Sequence, residues 1–345
     1  MDVMKMFAGR PRLLGLGEPT HGDNNLLDLR NRLFRRLVER EGYRTIALES
    51  DCLKGLTVDD YVTTGEGDLD EVVRNGFSHE WGHFQGNCDL VRWMRAHNEG
   101  RPHDGQVRFA GFDGPLEISA AASPRQALTA LAGDAVPQID DDRWTNPAAM
   151  MDPSQSIGRS PEAKELRLLA DDLAAELETQ PHPDERALLY ARTAVGLLRY
   201  HHWMADPSPA RLQRLTAQRD AMMAANLLAL ADRGPTLVYA HNSHLQRDRS
   251  TMQMGDQHLS WWGTGALVSA KLGPQYAFLA TAVGTIHEHG VGAPPPDTLE
   301  GHLYGLPEQT ALVARQSPWY GYAPLDPANL PSIDGVVFVR DVTSS

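Results

Sequence analysis

Cysteine is nearly missing: the 345 residues hold only Cys52 and Cys88, with no CxxC between them. That excludes a disulfide framework and a thiolate zinc site. Long apolar runs are missing too. Nowhere do 18 apolar residues follow one another, and the opening MDVMKMFAGRPRLLG has no stretch of signal-peptide length. The expectation is a cytoplasmic protein without a membrane partner. Positive charge is short as well, with 32 Lys and Arg against 45 Asp and Glu and a net charge of −13. No basic run offsets the deficit, which argues against nucleic acid or an anionic membrane surface. Arg30, Arg32, Arg35 and Arg36 cluster only locally, at helical spacing beside acidic residues, as on a solvated helix face. Neither G-x-G-x-x-G nor a P-loop occurs, so no nucleotide cofactor is expected. Ser50 and Ser243 lie in no G-x-S-x-G elbow, which argues against a serine hydrolase.

What is present is ordinary globular composition, 41% hydrophobic and 22% charged, with enough length for one large or two ordinary domains. The chain is organised around LLGLGEPTHG at 13–22. A short apolar run breaks at Gly17 and delivers Glu18 and His21, three residues apart, ahead of a long amphipathic segment. Open α/β sheets build active sites in this way, at the carboxyl ends of their strands. Residues 24–41 place Leu26, Leu29, Leu33, Leu37 and Val38 on one helical face and stop at Gly42. Tyr43–Leu48 then predicts a strand ending in Glu49, so strand, helix and strand form a parallel unit. Pairing of these two strands would put Glu18 and Glu49 at one sheet edge.

Further along, a helix is expected around Asp68–Arg74, a pocket-lining loop at 77–87 (FSHEWGHFQGN), a helix at 88–98 and a strand Val107–Phe112 ending at Asp113. From 117 to 232 the periodicity is helical, in 161–180, 184–204 and 208–232. Residues 134–160, with Pro137, Pro147 and Pro153, have the composition of an irregular loop. The sheet resumes at Thr236–Ala240, which runs into His241-Asn242-Ser243-His244. A helix Gly263–Lys271, a strand Tyr276–Ala282 and a closing strand Val336–Val339 follow. The class is α/β, a central, mostly parallel sheet flanked by helices. The expectation is a single domain over 1–345, with 117–232 inserted as a helical cap.

GEPTHG at 17–22, Arg30 in the next helix, ALES at 47–50, GFD at 111–113, QRDAMMAANL at 218–227 and AHNSH at 240–244 occur in that order. This ordered set resembles the erythromycin esterase family, α/β hydrolases related in fold to the ChaN-like proteins, over about residues 13–285. The resemblance implies hydrolytic opening of a macrolide lactone by a histidine general base, without a serine nucleophile or a metal. Carried over by motif, His21 is the base, Glu18, Glu49 and Arg30 shape its pocket, and His241 and His244 complete the polar cluster. The chain departs from the family pattern at Pro19, where Ala or Ser is usual, at Asn25, where Glu is frequent, and in the loop 77–87, which carries His79, Glu80 and His83 in an unusual arrangement.

The residues themselves allow the same chemistry. An imidazole with a pKa near 6.5 can accept a proton from water, and Glu18 or Glu49 can fix its tautomer. The plainer alternative is that His21 only caps a helix. Arg30 falls on the apolar face of its helix, where a buried cation needs a carboxylate, so an ion pair with Glu18 or Glu49 is expected. Glu18, His21, His241 and His244 could also ligate zinc, although the E-x-x-H and H-x-x-H spacings are weak signals. In the metal-free reading Arg30, His241 or His244 meets the oxyanion. Trp81, His83, Asp113 and Asn242 are assigned to substrate binding, with Trp261 and Trp262 as further walls for a substrate of polyketide size. The leading function is a metal-independent hydrolase of an ester or macrolactone. A cyclase or lyase using the same base, and a ligand- or metal-binding protein without turnover, are the alternatives.

Overall fold

The computed structural model describes residues 3–117, 120–133, 136, 141–306 and 311–343. Its sheet uses β1 (Leu13–Glu18), β2 (Thr45–Asp51), β3 (Arg108–Asp113) and β4 (Thr236–His241). After a separate antiparallel hairpin, β5 (Arg249–Met254) and β6 (Gln257–Trp262), β7 (Tyr276–Ile286) and β8 (Gly335–Val342) complete it. The strand order is β8-β7-β1-β4-β2-β3, and every neighbouring pair is parallel.

Near-continuous apolar strands are what a parallel sheet covered on both faces requires. Alternate side chains divide between the two faces. Leu14, Leu16, Ile46, Leu48, Leu237 and Tyr239 pack under α1 (Asn24–Glu41), α2 (Lys54–Thr64), α3 (Leu69–Asn75) and α4 (Gln85–Asn98). Leu13, Ala47, Val238, Ala240, Tyr276 and Phe278 pack on the other face.

Between β3 and β4 the described residues form a two-residue ribbon and helices. The longer helices are α5 (Arg125–Ala132), α6 (Pro161–Glu178), α7 (Glu185–Met204) and α8 (Arg211–Arg233). α8 returns to the second face of the sheet beside α9 (Thr264–Leu272). Of the stretch 134–160, residues 134, 135 and 137–140 lie outside the described residues, Pro137 among them. The rest holds short helical turns at 141–144, 148–151, 153–155 and 157–159.

Two expectations change. β1 and β2 are not neighbours, because β4 lies between them. Strand and helix patterns report local structure, whereas insertion of a distant strand is decided by a crossover that leaves no local mark. β2 also runs on through Glu49 to Asp51, with an irregular register against β3 after Leu48. The hairpin β5–β6 had no signal in the sequence; RSTMQM and QHLSWW are too polar for a core strand.

Candidate active site

The carboxyl ends of β1, β4, β2 and β3 are contiguous and present Glu18, His241, Glu49 and Asp113 in that order. Glu18 and His241 are direct register partners. Such close strand ends need a small residue at position 17. A Cβ on Gly17 would stand 2.1 Å from Asn242 Oδ1. After Glu18 the chain turns through Gly22, whose φ of +77° is a conformation L side chains avoid. Asp23 then caps α1 by accepting from the backbone of Asn25 and Leu26.

On the α1 face, His21 Nδ1 is 2.7 Å from Glu18 Oε1, and the buried Tyr239 hydroxyl donates to Glu18 Oε2 at 2.6 Å. The His21 side chain is 36% exposed, and its Nε2 has no hydrogen-bond partner among the described residues. Burial works to lower the His21 pKa, but the Glu49 and Glu18 charges and the Glu18 hydrogen bond outweigh it and hold it above 6.5. Trp81 lies against the imidazole with ring centroids 4.7 Å apart. His79 and Glu80 put that indole there by adopting left-handed backbone, φ 55° and 57°. Glu117 holds the turn, accepting from His79 N at 3.2 Å and lying 2.8 Å from His79 Nδ1.

On the opposite face a buried charge network surrounds Glu49. Its Oε1 meets Arg219 Nη2 at 3.0 Å and His244 Nε2 at 3.3 Å, and its Oε2 accepts from the His241 backbone at 2.9 Å. Burial alone would raise the Glu49 pKa; the His244 and His21 charges, the His244 hydrogen bond and the Arg219 charge bring it well below the usual carboxylate value. His244 spends its other nitrogen on Asp220 Oδ1 at 2.9 Å. Burial opposes its charge, but Asp220 and Glu49 push its pKa up to about 10. Asp220 also accepts from Trp261 Nε1, Thr264 N and Thr264 Oγ1 at 2.6–2.7 Å. Arg219 binds Asp113 through Nε and Nη2, the latter at 2.6 Å. Its Nη1 has no partner among the described residues, and its side chain remains 28% exposed.

His241 stands between the halves, its ring 5.5 Å from that of His21. Its Nδ1 accepts from Ser243 N, which puts any ring proton on Nε2. Burial and the His21 charge lower its pKa to about 3, against a hydrogen bond to the Pro19 backbone that raises it. It is a neutral wall.

The structure brings Glu18, His21, Glu49, Asp113, Trp81, His241 and His244 together and separates three other expected site residues from them. Arg30 is fully buried but has no carboxylate within ion-pair distance among the described residues. It donates to Asn31 Oδ1, Asn87 Oδ1 and the Gly86 carbonyl and lies 5.0 Å from the centre of the Tyr239 ring. Helical spacing showed that Arg30 would be buried, not that amide oxygens would surround it. His83 is exposed and turns back to the Glu80 carbonyl and the Phe84 ring. Asn242 is buried with both ends of its amide on the Thr281 backbone, so it ties β4 to β7. Trp262 is 52% exposed on the hairpin, away from the expected wall.

Arg219, Asp220 and Tyr239 were not singled out from the sequence. A signal existed for Asp220: with Met223, Leu227 and Leu230 it falls on the apolar row of α8, where a charge must be paired. As for a metal, the imidazoles of His21 and His244 already spend nitrogens on carboxylates. Among the described residues no three His, Cys, Asp or Glu side chains form a metal-holding group.

Three solved structures share this architecture. A Bacillus cereus protein is 18% identical with a TM-score of 0.69, over 99% of this chain and 90% of its own. A mutant of the erythromycin esterase EreC, in its open conformation, is 16% identical with a TM-score of 0.68, over 100% and 93%. A succinoglycan biosynthesis protein is 18% identical with a TM-score of 0.60, over 82% and 69%. At these identities the likeness is one of fold. A family model described as erythromycin esterase matches residues 38–332, a span that begins after the Glu18–His21 corner and therefore does not depend on it. The chain belongs to the erythromycin esterase family of hydrolases.

Proposed function

We propose that the protein is a metal-independent hydrolase that cleaves an ester or lactone of natural-product type, with His21 as general base. The observation that carries this reading is the Glu18–His21 contact of 2.7 Å together with an Nε2 that has no hydrogen-bond partner among the described residues, on a side chain 36% exposed. Glu18 accepts from Nδ1–H, so the neutral ring has its lone pair on Nε2, where an incoming water would give up its proton. Tyr239 holds the second oxygen of Glu18, and the Arg30 charge lies behind the Tyr239 ring, so the carboxylate is fixed on both sides. Arg30 is therefore a positioning residue and not an oxyanion donor.

The oxyanion role passes to Arg219. Its Nη1 is the uncommitted donor of the charged half, and Asp113 and Glu49 hold the rest of its guanidinium rigid. Asp113 then serves substrate binding only through Arg219. Trp81 supplies a flat apolar wall beside the base, which suits a small-molecule substrate with a large hydrocarbon surface. The family name and the EreC likeness support a macrolactone as the first substrate to try. A panel of macrolactones and aryl esters assayed in ¹⁸O-labelled water tests the reading. Hydrolysis places one label in the product acid, and His21→Asn abolishes it. Turnover without label would sink the hydrolase in favour of a cyclase or lyase working through the same base.

A further inference from the structure

β3 is an edge strand of the sheet, and a cavity of about 300 Å³ lies beside it, lined by residues of α2, α7 and α8. Four arginines of this acidic chain, Arg108, Arg186, Arg192 and Arg233, line it. Three have carboxylates: Arg108 on Asp59, Arg186 on Asp60, and Arg233 on Glu185 at 3.1 Å. Arg192 has none. Its Nε reaches Asn226 Oδ1 at 3.4 Å, and neither Nη has a partner among the described residues. Burial and the charge of Arg233 work against its cation and outweigh the favourable charge of Glu185. Asp59, Asp184 and Glu185 also line the cavity, but none of them pairs with Arg192, and a half-buried guanidinium with two unpartnered Nη groups is costly unless something anionic joins it. Leu56, Phe109 and Leu230 add apolar surface to the lining.

The geometry points to a second ligand site here, separate from the catalytic strand ends, that takes a compact organic anion. Its phosphate or carboxylate would sit on the Arg192 fork and its small apolar group against Phe109 and Leu230. An arginine fork matches two oxygens of either anion. The volume is at the lower end of the roughly 300–1,000 Å³ typical of small-molecule pockets. Asn226 also donates to the Phe112 carbonyl, one residue before Asp113, so the site abuts the catalytic sheet edge without sharing a residue with it.

Calorimetric titration of the full chain with phenyl phosphate and with benzoate, at fixed ionic strength in chloride, tests this. At least one probe is expected to bind saturably at one site per chain, and the tighter one identifies the anion. Affinity should fall at least tenfold in Arg192→Gln and less in Arg192→Lys, with thermal melts showing both variants folded. His21→Asn should bind as the parent does, which keeps this result independent of the catalytic reading. Saturable binding by neither probe, equal binding by Arg192→Gln, or loss of binding in His21→Asn would each overturn the proposal.

Discussion

Glu18 with His21 and Glu49 with His244 are two carboxylate–imidazole pairs at the same sheet edge, yet the sheet separates them by face. Glu18 points with Tyr239 towards α1; Glu49 contacts Arg219 of α8 and His244. In the first pair one nitrogen is spent, the other has no partner among the described residues, and the side chain is 36% exposed. In the second both nitrogens are spent and the ring is buried. A base must change its protonation during turnover, and a scaffold charge must not. On the proposed reading His21 is the group that titrates and His244 a fixed cation that keeps Glu49 ionised. Identical residue types acquire different chemistry from the number of carboxylates around them.

The largest effect that would break this contrast belongs to His21→Asn. A loss of about 10²–10⁴-fold in kcat/KM is expected from removing the base, with the urea midpoint unchanged because the side chain is partly exposed. Arg219→Met strikes the other half. It leaves Glu49 and Asp113 buried without their shared cation, and equilibrium unfolding at pH 8 should show a cost of about 3–5 kcal/mol. That cost should shrink at acid pH, where the carboxylates protonate.

The two histidines should also separate by pH. The His21 pKa is raised, and a general base acts in its neutral form, so on the proposed mechanism kcat/KM should climb as pH rises through a value above 6.5. For His244 the folded pKa of about 10 exceeds the unfolded 6.5, so its stabilisation is complete below 6.5 and is lost as pH rises towards and through 10. Denaturation midpoints measured from pH 6.5 to 10 should therefore decline in the parent and decline less in His244→Asn. Trp81→Leu should lower kcat/KM about tenfold, mainly through KM, by removing the wall beside the base. His83→Ala should change steady-state kinetics less than about twofold, because that ring faces away from the site.

Much of this edge was legible in the sequence. In a parallel sheet the apolar runs that form strands end in the loops that carry chemistry, so Glu18, Glu49, Asp113 and His241 stand out as charged or polar stops. The strand order was not legible, and with it the fact that His241 lies between the two glutamates. Partners of buried charges were equally hidden. Arg30 has its place in a helical row, but which oxygens reach it depends on Asn87, in the first turn of α4 from a distant part of the chain. Arg219 and Asp220 lay inside a quoted motif without an assigned role, since their partners come from β2, β3, the turn after β4, and α9. Left-handed backbone at His79 and Glu80, which sends Trp81 against His21 and His83 outward, leaves no trace in residues that are not glycine.

The central claim is that one imidazole titrates and its neighbour does not. Nitrogen-15 NMR of histidine-labelled protein, followed from pH 5 to 10 and assigned with His21→Asn and His244→Asn, measures this directly. The account predicts that His21, with one carboxylate partner, loses its proton above 6.5 and before His244, which stays protonated until about pH 10. A His244 that deprotonates near neutrality while His21 stays charged throughout would contradict it.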